Sequence, residues 1–330
     1  MINSNLGVGP MSIEIIEAIF YASEESKRQL MIIASKNQID YNGGYVEGWT
    51  TREFMNFIES MKLKYPLANV LICRDHCGPG FNGIFELDDT YATIKEDISC
   101  GFDLIHIDFC NFAGTQEEKL LESKKAIEYC LKLNSKIKLE IGTDVNSGTN
   151  LKEEDLRRID SEARFFSSFC SPEFYVVQTG SLIKEINQVG FFNEEFVEKV
   201  VRILKKYNLK LKEHNADYLS KKEIAKRVGL VDALNIAPQL GVVQTMITIT
   251  KCLEYGIDFE DFLEEIQNGE KWRKWLQDNT ENNKFLCGVI AGHYHFSSES
   301  YKNILKRLGA CEDIHMSIIK AIKETIKNYE

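Results

Sequence analysis

This 330-residue sequence has little proline, no closely paired cysteines and no excess of positive charge. Only five prolines occur, and no Ser/Gly/Pro-rich stretch interrupts the chain, so we expect no domain boundary before about residue 257. The nine cysteines include no C-x-x-C pair, which argues against a disulfide framework or a zinc ribbon. The net charge of −10 disfavours nucleic acid and anionic membranes as partners.

Signals for export and for nucleotide binding are also missing. The residues from Met1 to Leu6 lack the basic patch and apolar stretch of a signal peptide, and no window is apolar enough to span a bilayer. We therefore expect a cytoplasmic protein that does not enter membranes. Neither G-x-G-x-x-G after an apolar run nor G-x-x-x-x-G-K-[ST] occurs, which disfavours a dinucleotide or nucleotide site.

Short apolar runs recur along the chain, and each is followed by an amphipathic stretch. Successive runs begin about 24 to 40 residues apart, the length of a βα unit. They are Leu30 to Ala34, Val70 to Cys73, Leu104 to Ile107, Ile137 to Ile141, Phe174 to Val177, Leu209 to Leu211 and Ala233 to Ile236. The N-terminal residues before a helix over 12–27 can supply an eighth strand. This pattern favours an α/β fold, a single (β/α)8 TIM barrel over residues 1–257, above an open doubly wound sheet. Residues 258–330 are predicted to form a helical extension packed on the barrel.

Polar residues follow the predicted strands, where barrels carry their catalytic groups. Asp75 and His76 form one such pair, and Glu213 and His214 form another. Imidazole binds divalent metals, and a neighbouring carboxylate can complete the site or carry a proton. The pairs therefore predict a metal site formed by convergence of His76 and His214. The alternative is that all four are ordinary polar loop residues.

Two further histidine positions are ambiguous. His106 lies inside an apolar run, which is typical of a core histidine whose hydrogen bonds are satisfied. His293 and His295 follow an apolar stretch, and alternation would place them on one face as an additional wall of the substrate site. An ordinary polar C-terminal loop explains that pair equally well.

Several motifs taken together, from about Asn3 to Tyr301, resemble a known family. The series resembles the non-catalytic subunit family of D-tagatose-1,6-bisphosphate aldolase, which is itself similar to class II fructose-bisphosphate aldolases. The motifs are Ser35-Lys36-Asn37-Gln38 with Gly43-Gly44-Tyr45, Arg74-Asp75-His76-Cys77-Gly78-Pro79, Ile105-His106-Ile107-Asp108, Ile141-Gly142-Thr143-Asp144, Val176-Val177-Gln178 and Glu213-His214-Asn215-Ala216-Asp217-Tyr218.

The resemblance implies a barrel that binds a divalent metal, zinc or manganese, and it implies roles for individual residues. Asp75 would handle the proton on the aldol hydroxyl, while His76 and His214 would bind the metal. Gln178 stands where those enzymes have a further metal histidine, so help from Asp144 or Glu213 would be needed. Asp144 matches their acidic strand end, and Asn235 matches an asparagine of their last strand.

The implied activity is that of a metal-dependent aldolase, which cleaves or forms a C–C bond next to the carbonyl of a ketose. The same groups would allow a ketose 4-epimerase, and the namesake family implies a stabilising partner of a class II aldolase subunit or a homo-oligomer. An acidic residue, Asp217, replaces part of the Gly-rich phosphate loop. We therefore expect an unphosphorylated or singly charged sugar. The expected sugar-binding residues are Asn37, Gln38, Arg74, Asp108, Asn235 and His293, with Arg74 or Lys36 holding any acidic group.

Overall fold

The fold is a closed parallel β-barrel, seen in a computed structural model that describes residues 2–143 and 152–329. Within that part of the chain, eight strands close in the order β1-β10-β9-β6-β5-β4-β3-β2. The predicted TIM barrel is confirmed, with β1 as the eighth strand. The barrel strands are β1 Leu6–Val8, β2 Gln29–Ser35, β3 Asn69–Cys77, β4 Leu104–Ile107, β5 Lys138–Thr143, β6 Phe174–Val177, β9 Lys210–Glu213 and β10 Ala233–Ile236. A small antiparallel hairpin, β7 Ile183–Lys184 and β8 Asn187–Gln188, lies between β6 and the next helix.

Each barrel strand is followed by a helix, as the repeating sequence pattern predicts. These helices are α1 Ile13–Ser26, α2 Thr51–Lys64, α3 Leu87–Cys100, α4 Gln116–Leu133, α5 Glu153–Ser167, α6 Glu194–Lys205, α7 Lys221–Arg227 and α8 Pro238–Tyr255. The start of α2 is fixed locally, because Thr50 and Glu53 form a reciprocal capping box. At the end of α3, Gly101 adopts φ 92°, a left-handed conformation that suits glycine.

The barrel interior is apolar at one end and polar at the other. Residues that point inward alternate along each strand. At the first inward positions they form a small apolar cluster that includes Cys73, Leu104 and Phe174. Two residues further along β4, the inward position is His106, and on β5 Glu140 pairs with it across the sheet. The polar end therefore coincides with the carboxyl ends of the strands, where barrel enzymes place their chemistry.

A group of C-terminal helices packs against the barrel. It comprises α9 Glu260–Gly269, α10 Lys284–Ala291, α11 Glu299–Gly309 and α12 Ile314–Lys327, with short 3₁₀ helices at Arg273–Trp275 and Gly292–His295. Helix α12 lies against α1 and α8, and α10 lies against α8 and α9. In the described residues, no helix is both long enough and apolar enough to cross a membrane.

Candidate active site

A bulge in β3 brings two neighbouring side chains to the barrel mouth. Alternation along a strand would send Asp75 and His76 to opposite faces. The pairing with β4 instead shifts register between Arg74 and Cys77, and His76 adopts φ 46°, a conformation that costs energy for a residue with a side chain. As a result, Asp75 and His76 share one site with His106 and His214.

Ligand atoms of these four residues all lie within 4.8 Å of one another. The closest approach among the ring nitrogens joins His76 Nε2 and His214 Nδ1, which are 3.2 Å apart. The predicted convergence of His76 and His214 is confirmed. Two nitrogens bound to one tetrahedral zinc would be about 3.4 Å apart, given Zn–N distances near 2.1 Å. The spacing therefore fits a shared metal.

The outer nitrogen of each histidine is held by a carboxylate. Asp108 Oδ2 lies 2.8 Å from His76 Nδ1, and Glu140 Oε1 lies 3.1 Å from His214 Nε2. The second oxygen of Glu140 accepts a 2.5 Å bond from Lys212 Nζ. A carboxylate that accepts the outer N–H directs the inner lone pair toward the centre, as is usual for histidines that bind metals.

Electrostatics keep both of these carboxylates ionised. Burial alone would raise the pKa of Asp108, but the hydrogen bond and charge of His76 bring it to about 2. Burial likewise opposes ionisation of Glu140, and Lys212 and the neighbouring histidines lower its pKa to about 2. Burial would lower the pKa of His76, yet Asp75 and Asp108 raise it to about 9. The site is therefore rich in negative charge and suited to a cation.

Asp75 lies next to the facing nitrogens and retains some exposure to solvent. Its Oδ2 is 3.8 Å from His76 Nε2, and its Oδ1 is 3.5 Å from His106 Nδ1. Burial would raise the pKa of this carboxyl, but His76 and His214 hold it well below the ordinary range. Asp75 is thus an ionised carboxylate that is suited to bind a cation.

The expected bonding of His106 as a core histidine is confirmed, although the residue lies beside the site. The His106 side chain is fully buried, and Nε2 lies 2.9 Å from the Gly142 carbonyl oxygen. Its Nδ1 accepts a bond from the His76 backbone N–H. Because both nitrogens contact backbone groups, His106 supports the strained conformation of its neighbour.

Arg74 is not placed to bind substrate, which corrects the sequence prediction. It occupies an outward position of β3, is fully buried, and pairs with Asp97 of α3 through Nε and Nη2 at 2.6 and 2.7 Å. Lys36 is likewise buried and paired, with Asp89 of the same helix. Neither cation faces the barrel mouth, because both side chains point toward the helical layer.

Glu213 is also turned away from the predicted metal site. Its two oxygens accept bonds from Arg227 Nε and Nη2 at 2.7 and 2.8 Å, and Ser181 donates to it as well. On β9 the alternation places Lys212 and His214 inside the barrel and Glu213 outside. This acid therefore anchors α7 instead of binding a metal. Asp144, the other acid expected to help, lies outside the described residues.

The amide residues predicted at the site, Gln178 for the metal and the others for the sugar, occupy different surroundings. Gln178 Oε1 accepts a bond from the Gly180 N–H, Gln38 Oε1 accepts one from Ser35, and Asn37 donates to the Phe81 carbonyl. Asn235 differs, since its side chain is buried and neither amide atom has a hydrogen-bond partner in the described part of the chain. A buried amide without partners is costly, so Asn235 is well suited to bind a ligand.

Asp217 does not face the histidines, although the family resemblance places it in a phosphate loop. Its buried Oδ1 accepts bonds from the N–H groups of Ala237 and Gln239, at the start of α8. Helix N-termini are common phosphate sites, also in barrels of this kind. Here the carboxylate of the chain itself occupies that position.

Three residues at the site have no role in the sequence prediction: Glu140, Lys212 and Phe81. Phe81 stacks on the His76 ring with centroids 4.8 Å apart. Glu140 and Lys212 had a usable signal, because each alternates with apolar residues that pack outside the barrel, namely Leu139 and Ile141 on β5 and Leu211 on β9. Phe81 lies in a loop, and no periodic pattern indicates its position.

Taken together, these features define a (β/α)8 barrel with a candidate metal site at the carboxyl ends of its strands. Two solved structures resemble the fold over almost the whole length of the chain. One is described as a probable tagatose 6 phosphate kinase from Sinorhizobium meliloti 1021, with TM-score 0.82, 15% identity and 98% of each chain covered. The other is a fructose-bisphosphate aldolase from Campylobacter jejuni, with TM-score 0.60, 14% identity, and 98% and 89% covered. At such identities these likenesses concern the fold alone.

The family resemblance noted in the sequence is confirmed by a family model. Residues 7–138 match the D-tagatose-1,6-bisphosphate aldolase subunit GatZ/KbaZ-like family. The GatZ subunit of Escherichia coli K12 is 29% identical over 100 residues, which cover 28% of this chain. The match spans 24% of the length of that relative. Over this stretch, the chain is therefore similar to an aldolase subunit family.

Proposed function

We propose that the protein is a metal-dependent enzyme of the aldolase type, which cleaves or forms the C–C bond next to the carbonyl of a ketose. The observation that supports this most strongly is the pair of inner nitrogens of His76 and His214, 3.2 Å apart, each backed by a carboxylate. With Asp75 beside them, the site offers a cation-binding centre and a proton acceptor in one place.

His76 and His214 would hold a divalent metal, zinc or manganese, with Asp75 close enough to contribute an oxygen. The metal would supply positive charge that stabilises the negative charge developing on a ketone oxygen as the adjacent bond breaks. In the cleavage direction, Asp75 accepts the proton of the hydroxyl on the carbon that leaves as an aldehyde. In the reverse direction, Asp75 returns that proton to the new hydroxyl.

The chain's own residues also favour particular substrate features. Asn235 offers an amide donor and an amide acceptor that lack partners among the described residues, which suits a sugar hydroxyl. Asp217 occupies the N-terminus of α8, so a phosphate there would have to displace a carboxylate. If the two fragments rotate and recombine before release, the same residues would act as a ketose 4-epimerase.

The test is turnover by the metal-loaded protein with a panel of ketohexoses, in which released fragments and epimers are detected by NMR. Asp75→Asn is nearly isosteric but cannot accept the proton, so we expect turnover to fall about a hundredfold or more, within the range of general-base catalysis. The control is Asp103→Asn, which makes the same charge change at the residue directly before β4, at the end of the barrel away from the site. Wild-type turnover by Asp75→Asn would contradict the role of Asp75.

A second candidate is a stabilising role in a complex, because the GatZ relatives are named as subunits of an aldolase. The two candidates differ in metal content. An isolated protein that binds no zinc or manganese, and that prolongs the activity of a class II aldolase subunit added to it, would favour the partner role. One equivalent of metal with turnover would favour the enzyme.

A further inference from the structure

A second cavity lies beside the site, where the C-terminal helices cover the carboxyl ends of β2 and β10. It encloses about 380 Å³, which is within the usual range for small-molecule sites. Its floor comes from strand-end residues such as Ser35 and Ala237. Its outer wall comes from the segment around Lys271 to Trp275 and from the 3₁₀ helix that carries His293 and His295.

The charge of this cavity is opposite to that of the chain. Lys271 and Lys274 line it, whereas no aspartate or glutamate does, although the whole sequence carries −10. Neither lysine forms an ion pair with an acid of the described residues. Lys274 Nζ lies over the rings of Trp275 and Tyr294, at 4.9 and 5.3 Å from their centroids. Such a cavity would attract an anion against the overall field.

Three buried polar atoms of the cavity's side chains lack hydrogen-bond partners in the part of the chain that the structure describes. They are Trp275 Nε1, His293 Nδ1 and His295 Nε2. The indole N–H can only donate. Burial, together with Lys274 and His295, lowers the pKa of His293 to about 3, so this ring is neutral. Glu265 contacts His295 Nδ1 at 3.3 Å, and Glu185 lies beside Trp275 through its backbone N–H, but neither acid lines the cavity.

The cavity is connected to the catalytic histidines through a short chain of contacts. Asn37 lines the cavity and donates to the Phe81 carbonyl oxygen. The Phe81 ring in turn stacks on His76. Ser35, which also lines the cavity, pairs with Asp75 in the register of β2 and β3. The cavity therefore borders the strand ends that carry the candidate metal site.

We infer that this cavity binds the anionic end of the sugar, a terminal carboxylate or phosphate, through Lys271, Lys274 and the Trp275 N–H. The inference rests on the proposed function, because it places the reacting carbons at His76 and His214. It also moves the expected cationic contact from Arg74 and Lys36, which are both paired and buried, to the C-terminal segment. Since carboxylate and phosphate share the same recognition chemistry, the experiment must distinguish them.

Calorimetric binding to the metal-loaded Asp75→Asn protein tests this inference without turnover. The probes are D-fructose, fructuronate and D-fructose 6-phosphate, which differ in the terminal group. We expect at least one anionic probe to bind about tenfold or more tightly than D-fructose, as charge-assisted hydrogen bonds allow. Tighter binding of fructuronate identifies a sugar acid, and tighter binding of the phosphate identifies a sugar phosphate.

The double variant Lys271→Gln/Lys274→Gln should remove that preference, while binding of D-fructose stays unchanged. Lys306→Gln/Lys320→Gln, an equal charge change on exposed positions of α11 and α12, should leave the preference intact. Equal affinities for all three probes, or an unchanged preference in the Lys271/Lys274 variant, would overturn the inference. In that case ketose cleavage by the wild-type protein would still support the proposed function. An anion preference without any cleavage would overturn only the proposed function.

Discussion

Replacing Asp108 by asparagine should weaken metal binding without disturbing the barrel. Asp108 Oδ1 accepts the Cys110 N–H at 3.0 Å, and its Oδ2 contacts His76 Nδ1 at 2.8 Å. In the Asp108→Asn variant, the amide oxygen can keep the first bond, but the amide then presents an NH₂ donor to His76. To bind a metal, the His76 ring must keep its proton on Nδ1 and give up the one on Nε2, whereas the amide donor favours the opposite arrangement.

The expected loss of metal affinity follows from the role of carboxylates that support a metal-binding histidine. Their loss lowers metal affinity about 10- to 100-fold, which corresponds to about 1.4–2.7 kcal/mol. Zinc and manganese affinities are to be measured by competition with a fluorescent chelator. Asp103→Asn again serves as the control, because Asp103 caps the other end of β4 through the Ile72 N–H. Equal affinities in wild-type protein and Asp108→Asn would refute the assignment of the His76 tautomer.

Two further predictions concern stability. Arg74→Met leaves the buried Asp97 carboxylate without its cation, so we expect the free energy of unfolding in urea to fall by about 3–5 kcal/mol. The double variant Arg74→Met/Asp97→Leu should recover part of that stability. An unchanged unfolding midpoint for Arg74→Met would contradict the buried ion pair. Burial raises the pKa of Asp217 to about 7. Between about pH 4 and pH 7 the folded chain therefore binds more protons than the unfolded chain. As a result, the free energy of unfolding should fall by a few kcal/mol as pH rises through that window. Asp217→Asn should flatten this dependence, and the same slope in both proteins would argue against a buried carboxyl.

The barrel was predictable because its signal is spread over the whole chain. Seven apolar runs at regular spacing define the βα units, and local caps such as Thr50 with Glu53 fix where helices begin. No single run is decisive, but the repetition is. The same repetition explains why His76 and His214, at the ends of distant strands, approach each other.

The direction of individual side chains was harder to predict, because several consecutive residues lie near the end of each strand and only alternate ones point into the barrel. Arg74 and Glu213 follow apolar runs, yet both still belong to their strands and point outward. Alternation along each strand would have rejected both and selected His106 and Glu140, because Glu213 shares the outward face with Leu211 while Glu140 lies between the outward Leu139 and Ile141. The bulge at His76 breaks this alternation, and a single sequence carries no signal for a non-glycine residue at φ 46°.

The proposed metal site is tested most directly by the metal content of the purified protein and of the double variant His76→Ala/His214→Ala. After dialysis against zinc or manganese and removal of excess ion, elemental analysis should find about one equivalent in the wild-type protein. The variant should retain less than a tenth of that, since both imidazole ligands are gone. His315→Ala, which removes a histidine of α12 that contacts Glu14 and is not part of the cluster, should behave like wild type. A double variant that holds as much metal as the wild-type protein would contradict the proposed site.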